Sequence, residues 1–328
     1  MNLVTGATGF VGSYIVRRLV EDGEPVRALR RPGSDTSVLQ DIDGRFEWVE
    51  GDVMDIPSLE DALDGVHHVY HSAAVISFDP RGRDRMMRVN IEGTANVVNV
   101  ALARGVEKLL HVSSISVFGR YRIDRPIDES MRWKDHPHNT NYAISKHRAE
   151  LEVRRGVQEG LPAVIICPST ILGYGDWSRG SGKIFQNVWK GLRFAPPGTM
   201  GWVDVEDVAD VAVRLMHTDI DDERFIVSAE THTFSEVFGW IADAFGVRRP
   251  DIEVTPLLGA LAWRWFRLRS WLTGAEPLVT RETARYTQFD YVYRNDKLIK
   301  ALGGYEFTDI RETIDRACRR YARDATQG

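Results

Sequence analysis

A chain of 328 residues, 43% of them hydrophobic and 27% charged, is long enough to bury a large core and to form one large or two smaller domains. Its net charge of -5 and the lack of any basic run alternating with aromatics exclude the footprint of a nucleic-acid binder. Cys167 and Cys318 are the only cysteines and stand far apart, which removes a disulfide scaffold and a cysteine-built zinc site and fits a reducing compartment.

Short apolar runs at residues 3–5, 25–29, 46–50, 68–71 and 108–113 predict strands, and amphipathic stretches at 11–21 and 85–103 predict helices between them. A helix at 141–157 and a strand at 163–167 carry the sheet past its midpoint. Strand and helix in alternation specify an α/β chain, a Rossmann-type doubly wound parallel sheet covered on both faces. Beyond residue 170, Gly173, Gly175, Gly180, Gly182 and Pro196-Pro197-Gly198 break the pattern into loops and short elements, where a smaller C-terminal substrate-binding subdomain is expected. The expected division is therefore 1–170 for the doubly wound domain and 171–328 mainly for the smaller subdomain. Within the latter, 201–230 is expected to return to the core, with helices at 205–216 and 233–245 and a strand at 225–228. No internal repeat or low-complexity tract is present. With a glycine motif only five residues from the start, no signal or transit peptide is expected, and the expected location is cytoplasmic.

Residues 256–272 form a separate feature. Leu257, Leu261, Trp265, Leu268 and Leu272 make a helical stripe with Trp263, Phe266 and Trp271 nearby, while Arg264, Arg267 and Arg269 exclude a membrane-spanning segment. A packed helix or a lid over the substrate cleft is the preferred reading over an interfacial membrane anchor.

Two motifs carry chemistry. In Thr5-Gly6-Ala7-Thr8-Gly9-Phe10-Val11-Gly12 the glycines fall three apart, directly after a strand and at the start of a helix, the context of a dinucleotide fingerprint. Gly6 and Gly9 permit a tight turn and close approach of a pyrophosphate, Gly12 lets the helix pack on the strand, and the helix N-terminus faces the negative charge. An NAD site would place an acidic residue near the end of the second strand, but here Arg30 and Arg31 stand there. A guanidinium suits a ribose 2'-phosphate by forked hydrogen bonding, so NADP(H) is expected over NAD(H). In Tyr142-Ala-Ile-Ser-Lys146 a phenol and an ammonium share one helix face. A carbonyl accepting hydride gathers negative charge on oxygen and needs a proton, and a phenol beside an ammonium can give it.

In this order and separation the two motifs resemble the extended short-chain dehydrogenases/reductases, the NAD-dependent epimerase/dehydratase family, over roughly the whole chain. The resemblance implies several contacts to the cofactor beyond Gly6, Thr8, Gly9, Phe10 and Val11. Arg31, with Arg30 second, falls at the ribose phosphate. Asp52 and Val53 meet the adenine, and Ser72, Ala73 and Ala74 form the turn after the fourth strand. Pro168 and Ser169 pass the nicotinamide carboxamide. Tyr142 becomes the general acid/base, Lys146 tunes it and grips the nicotinamide ribose, and Ser114 in Ser113-Ser114-Ile-Ser-Val-Phe-Gly119 anchors the substrate oxygen, with Ser113 in support. Asn90 orders backbone and water behind the site. The segment Gly201 to Val208 and the run Asn295-Asp296-Lys297 match parts of the family that are more structural than catalytic. A homodimer through the helices at 90–103 and 141–157 is also implied.

Many nucleotide-sugar epimerases of the family carry an Asn and an Arg where this chain has Thr170 and Cys167. The Pro168-Ser169-Thr170 form is nearer to dihydroflavonol-reductase-like members. The leading reading is an NADP(H)-dependent oxidoreductase acting on a small-molecule carbonyl or alcohol of apolar character. The rivals are an NAD-dependent nucleotide-sugar epimerase or dehydratase and a non-catalytic redox sensor. Trp177, Arg179, Lys183 and Trp202 are candidates for the substrate pocket, with packing or surface roles as the alternative. His67, His68 and His71 lie on a predicted strand whose alternation separates neighbours, so structural roles are preferred to a metal site.

Overall fold

The computed structural model describes residues 1–119, 124–273, 277 and 279–327. In chain order the first strands are β1 (Asn2–Thr5), β2 (Val26–Arg30), β3 (Glu47–Glu50), β4 (His68–His71), β5 (Lys108–Val112) and β6 (Ala163–Pro168). They are followed by β7 (Thr170–Leu172), β8 (Phe194–Ala195), β9 (Thr199–Asp204), β10 (Glu223–Val227), β11 (Glu230–Thr233) and β12 (Ile252–Glu253). Seven of them form one parallel sheet in the order β10-β6-β5-β4-β1-β2-β3. The order reverses between β1 and β4, so the loops after these two strands diverge and leave a crevice, where open α/β sheets bind ligands.

The strands are apolar because both faces are covered. Leu3, Leu29, Val69, Leu109 and Ile165 enter one core, and their neighbours Val4, Ala28, Tyr70, Leu110 and Val164 enter the other. Helix α1 (Phe10–Glu21) lies on the second face. Helices α2 (Ile56–Ala62), α3 (Arg83–Arg104) and α4 (Asn141–Gln158) lie on the first, with α3 against α4 and Gly156 giving room for Val98. After α5 (Gly182–Trp189), helix α6 (Val205–Met216) joins α1 on the second face, and β10 returns to the sheet edge beside β6. Lys108 fastens α6 to the sheet by donating to the carbonyls of Leu215 and Thr218 at the end of that helix.

The remaining strands form a three-stranded sheet, β11-β9-β7, and a pair, β12-β8. With them stand α7 (Phe234–Phe245), α8 (Pro256–Thr273), α9 (Arg281–Tyr286), α10 (Asp296–Ala301) and α11 (Ile310–Gln327). Helix α7 starts in a capping box of Thr233 and Glu236 and ends at Gly246, whose φ of 67° accommodates the left-handed turn that stops the helix. The motif at 201–208 ties this region to the core. Asp204 caps α6 and accepts from Thr313 and Arg316 of α11, and Asp207 accepts from the backbone and hydroxyl of Thr308. Trp202 is fully buried and donates to the His232 carbonyl, and Trp177 stacks between Trp189 and Tyr321. Trp202 is therefore a packing residue, and Trp177 is a half-buried member of an aromatic stack. Arg179 is exposed and paired with Asp176.

Candidate active site

The glycine loop is built by close approach of backbone to backbone. Gly6 has φ +70°, and a Cβ there would stand 2.7 Å from the amide nitrogen of Ala73. A Cβ on Gly12 would stand 2.2 Å from the Gly6 carbonyl oxygen. Gly6 thus serves the contact between the β1 and β4 turns as well as the approach of a ligand, a second reason that the motif alone does not disclose. Thr5 locks the same junction: its hydroxyl meets His71 Nδ1 at 2.8 Å and accepts from the Ala73 amide. His71 completes the link through Nε2 to Thr94 on α3, and burial followed by the charge of Lys146 pushes its pKa down to about 3. It is a neutral structural histidine.

Helix α1 begins at Gly9 with no side-chain cap and no acidic residue in its first turn. Its first amides are left for a ligand, the arrangement that receives a pyrophosphate. The cradle, the glycines a Cβ would obstruct and this open helix end together fit a dinucleotide.

At the far end of the crevice the two arginines differ. Arg30 at the end of β2 reaches Glu50 at 3.3 Å and lies over the Trp48 ring, and its buried Nε has no hydrogen-bond partner. Arg31 is exposed. Asp52 accepts from the Met54 amide, which shapes the turn after β3, and Val53 is buried against Gly93.

Lys146 and Ser114 lie at the end of β5, and Tyr142 precedes Lys146 on helix α4. Helix α4 starts with Thr140, whose hydroxyl accepts from the Ala143 amide. In its first turn, Tyr142 packs edge-on to Phe78, ring centroids 6.1 Å apart. Lys146 follows on the same face, 2% exposed, and donates to the Val112 carbonyl at 2.7 Å, with His111 Nε2 3.4 Å away. Burial lowers its pKa from 10.5 to about 8, opposed by the negative charge of Glu150. Ser114 lies two residues beyond Val112, nearly buried, and its hydroxyl accepts from the Ser116 amide. Asn90 clamps Val75 through both amide and carbonyl and donates to Ser145, between Tyr142 and Lys146 on α4. Ser169 after β6 is buried with its hydroxyl unpartnered.

Sequence reasoning missed Glu150. It is 1% exposed, accepts from Ser113 at 2.6 Å, and faces Cys167 Sγ at 3.5 Å and Arg224 at 3.6 Å. Its place four residues after Lys146 on the Tyr142 face was a usable signal. Phe78 and Glu282 of α9, which accepts from Asn141 at 3.1 Å, were also missed. Both come from segments without a pattern of their own.

Residues 2–227 match the model of the NAD dependent epimerase/dehydratase family. The chain belongs to this family. Over 260 residues it is 33% identical to sterol demethylase protein B of Methylococcus capsulatus, covering 78% of each chain. It is 29% identical to a putative dihydroflavonol 4-reductase of Synechocystis over 92% of this chain and 88% of that one. Among solved structures, that of gox2253 aligns with a TM-score of 0.85 at 31% identity over 99% of this chain and 98% of the other. UDP-glucose 4-epimerase of Thermotoga maritima shares the fold, with a TM-score of 0.81 at 18% identity over 99% of this chain and all of that one. The family is one of NAD(P)-dependent oxidoreductases and epimerases of the extended short-chain type, and this chain is an enzyme of that type.

Proposed function

We propose that the chain is an NADP(H)-dependent oxidoreductase that reduces an apolar aldehyde or ketone, or oxidises the matching alcohol. The observation that carries this reading is the buried Lys146 ammonium one helical turn from Tyr142, fixed to the β5 end two residues before Ser114. The α1 glycine loop would hold the pyrophosphate, Arg31 the 2'-phosphate, and Tyr142 and Lys146 the nicotinamide ribose. When bound, the cofactor supplies or takes up the hydride.

The chain's own residues do the rest. Tyr142 gives its hydroxyl proton to the substrate oxygen, and Lys146 stabilises the phenolate left behind. Ser114 donates a hydrogen bond that holds the oxygen in place. Asn90 and Glu150 act as positioning residues, the one through Ser145 and the other through Ser113. Reductase names among the relatives, including cinnamoyl-CoA reductase 1 of rice, support the carbonyl reading. Cys167 is fully buried beside Glu150, which disfavours a sugar-nucleotide contact at that position. A homodimer through α3 and α4 belongs to the same proposal, and a monomer mass by light scattering would remove it.

Parallel titration of the cofactor-free protein with NADPH and NADH, read by tryptophan quenching, is the test, followed by a carbonyl panel. Tighter binding of NADPH with turnover of an apolar carbonyl is expected. Preference for NADH, with no carbonyl reduced, overturns the reading.

A further inference from the structure

We propose that α8 is a docking helix for an anionic lipid surface. Leu257, Leu261, Trp265, Leu268 and Leu272 recur every three or four residues and form one stripe along the 18-residue helix. They are 49% to 70% exposed, and Trp271 beside them is 79% exposed. The face that meets the protein is the opposite one. Gly259 and Ser270, three turns apart, are the buried residues of α8, and Ser270 accepts from Arg81 at 3.1 Å. Trp263 and Phe266 lie on the inward side with Gly259 and Ser270 and are half-buried, so α8 is apolar on both sides, and the stripe of four leucines and Trp265 is the side left to water.

Charge selects the occupant. Arg264, Arg267 and Arg269 accompany the stripe, and α8 carries no acidic residue, although the chain as a whole is net negative. Apolar and indole side chains accompanied by guanidinium groups match a bilayer interface of negatively charged headgroups. A second copy fits less well. An isologous contact would bring these arginines against their own equivalents, with no carboxylate on the helix to pair them. The packed helix or lid preferred from the sequence would cover this stripe, which is instead 49% to 70% exposed. The helix is too polar to cross a membrane, and among the described residues no helix is long and apolar enough to do so.

Its place beside the candidate site gives the docking a use. Arg81, which holds α8, follows Phe78 in the loop after β4, and Phe78 touches both Tyr142 and Tyr286. A bilayer against α8 would lie next to the mouth of the crevice, where an apolar substrate could pass without crossing water.

The test is flotation of the full chain with vesicles of phosphatidylcholine, with or without about 30% phosphatidylglycerol, at about 0.1 M salt. The protein is expected to float with the anionic vesicles and remain below with the neutral ones. In a W265S/L268S/W271S variant the bound fraction should fall at least about tenfold, and in R267Q/R269Q by about tenfold. These side chains are exposed, so the melting temperature of each variant should match the parent and separate lost docking from lost folding. Parent protein that floats with neither vesicle, or a triple variant that floats like the parent, overturns the proposal. So does a parent dimer that the triple variant turns into a monomer, since the face would then belong to a second copy. Flotation uses neither cofactor nor turnover, so its failure would leave the oxidoreductase reading untouched.

Discussion

Lys146→Met should make the protein more stable at neutral pH while removing its activity. The Lys146 ammonium is 2% exposed, and burial lowers its pKa from 10.5 to about 8. At pH 7 the group is charged in both states, and the folded state bears a cost of about 3 kcal/mol for keeping that charge out of water. Methionine fills a similar volume without the charge, but it leaves the Val112 carbonyl without its donor, a loss of about 1 kcal/mol. The net gain is about 2 kcal/mol at pH 7. The sign of the pH dependence follows from the depressed pKa. As pH rises from about 8 towards 10.5 the folded amine loses its proton while the unfolded one keeps it, so the cost to the parent shrinks. At pH 9.5 it is about 1.4 kcal/mol, and the two proteins should be about equally stable. Urea denaturation at both pH values measures this directly. A Met variant no more stable than the parent at pH 7, or a difference unchanged at pH 9.5, would refute the claim that Lys146 is a costly buried cation.

The other perturbations separate roles that the geometry puts close together. Tyr142→Phe should lower kcat by at least about a hundredfold and leave NADPH affinity within about twofold, since it removes the proton while Lys146 and the glycine loop still hold the cofactor; loss of NADPH binding with kcat little changed would make Tyr142 a cofactor ligand and not the acid. Gly12→Ala places its Cβ 2.2 Å from a backbone oxygen and should cost about 1–3 kcal/mol by urea titration, whereas Gly9→Ala, with its nearest contact at 3.1 Å, should cost less while still weakening NADPH binding. Arg31→Ala should weaken NADPH at least about tenfold and barely touch NADH, with a smaller effect from Arg30→Ala because Arg30 is already paired with Glu50; equal losses for both cofactors would move the 2'-phosphate elsewhere. Glu150→Ala should cost about 3–5 kcal/mol, because Ser113 and Arg224 then face an empty buried site, and Glu150→Gln should cost clearly less.

The central sheet was legible because burial on both faces leaves strands short, apolar and separated by helices of clear period. β4 spans His68–His71 as expected, and α6 spans Val205–Met216 as expected. The glycine loop was legible for a related reason: a backbone approach too close for a side chain imposes glycine at fixed spacing. What sequence could not show was decided by tertiary contact. Gly6 is fixed by Ala73, sixty-seven positions away, and Asn90 by Val75 and Ser145. Trp202 is of the composition that lines pockets, and only its burial and its bond to the His232 carbonyl make it a packing residue. For α8 the stripe was visible but its direction was not, since periodicity gives a face and says nothing of which way it turns.

Helix α4 shows why the polar residues of the site can be buried at all. Its inward face presents Tyr142, Ser145, Lys146 and Glu150, and each of the last three is satisfied by a different part of the core: Asn90 on α3, the end of β5, and Ser113 with Arg224. Partners lower the cost of burying polar groups without removing it, as Lys146 shows, and such a network fixes one position of a helix more sharply than apolar packing does. Tyr142, at the end of this ladder, is thus held by three polar anchors one to two turns away. Loosening any of them should raise KM or lower kcat without touching the phenol itself. Such an effect in Asn90→Ala or Glu150→Gln, with the fold intact by circular dichroism, would mark them as positioning residues; unchanged kinetics would confine them to stability.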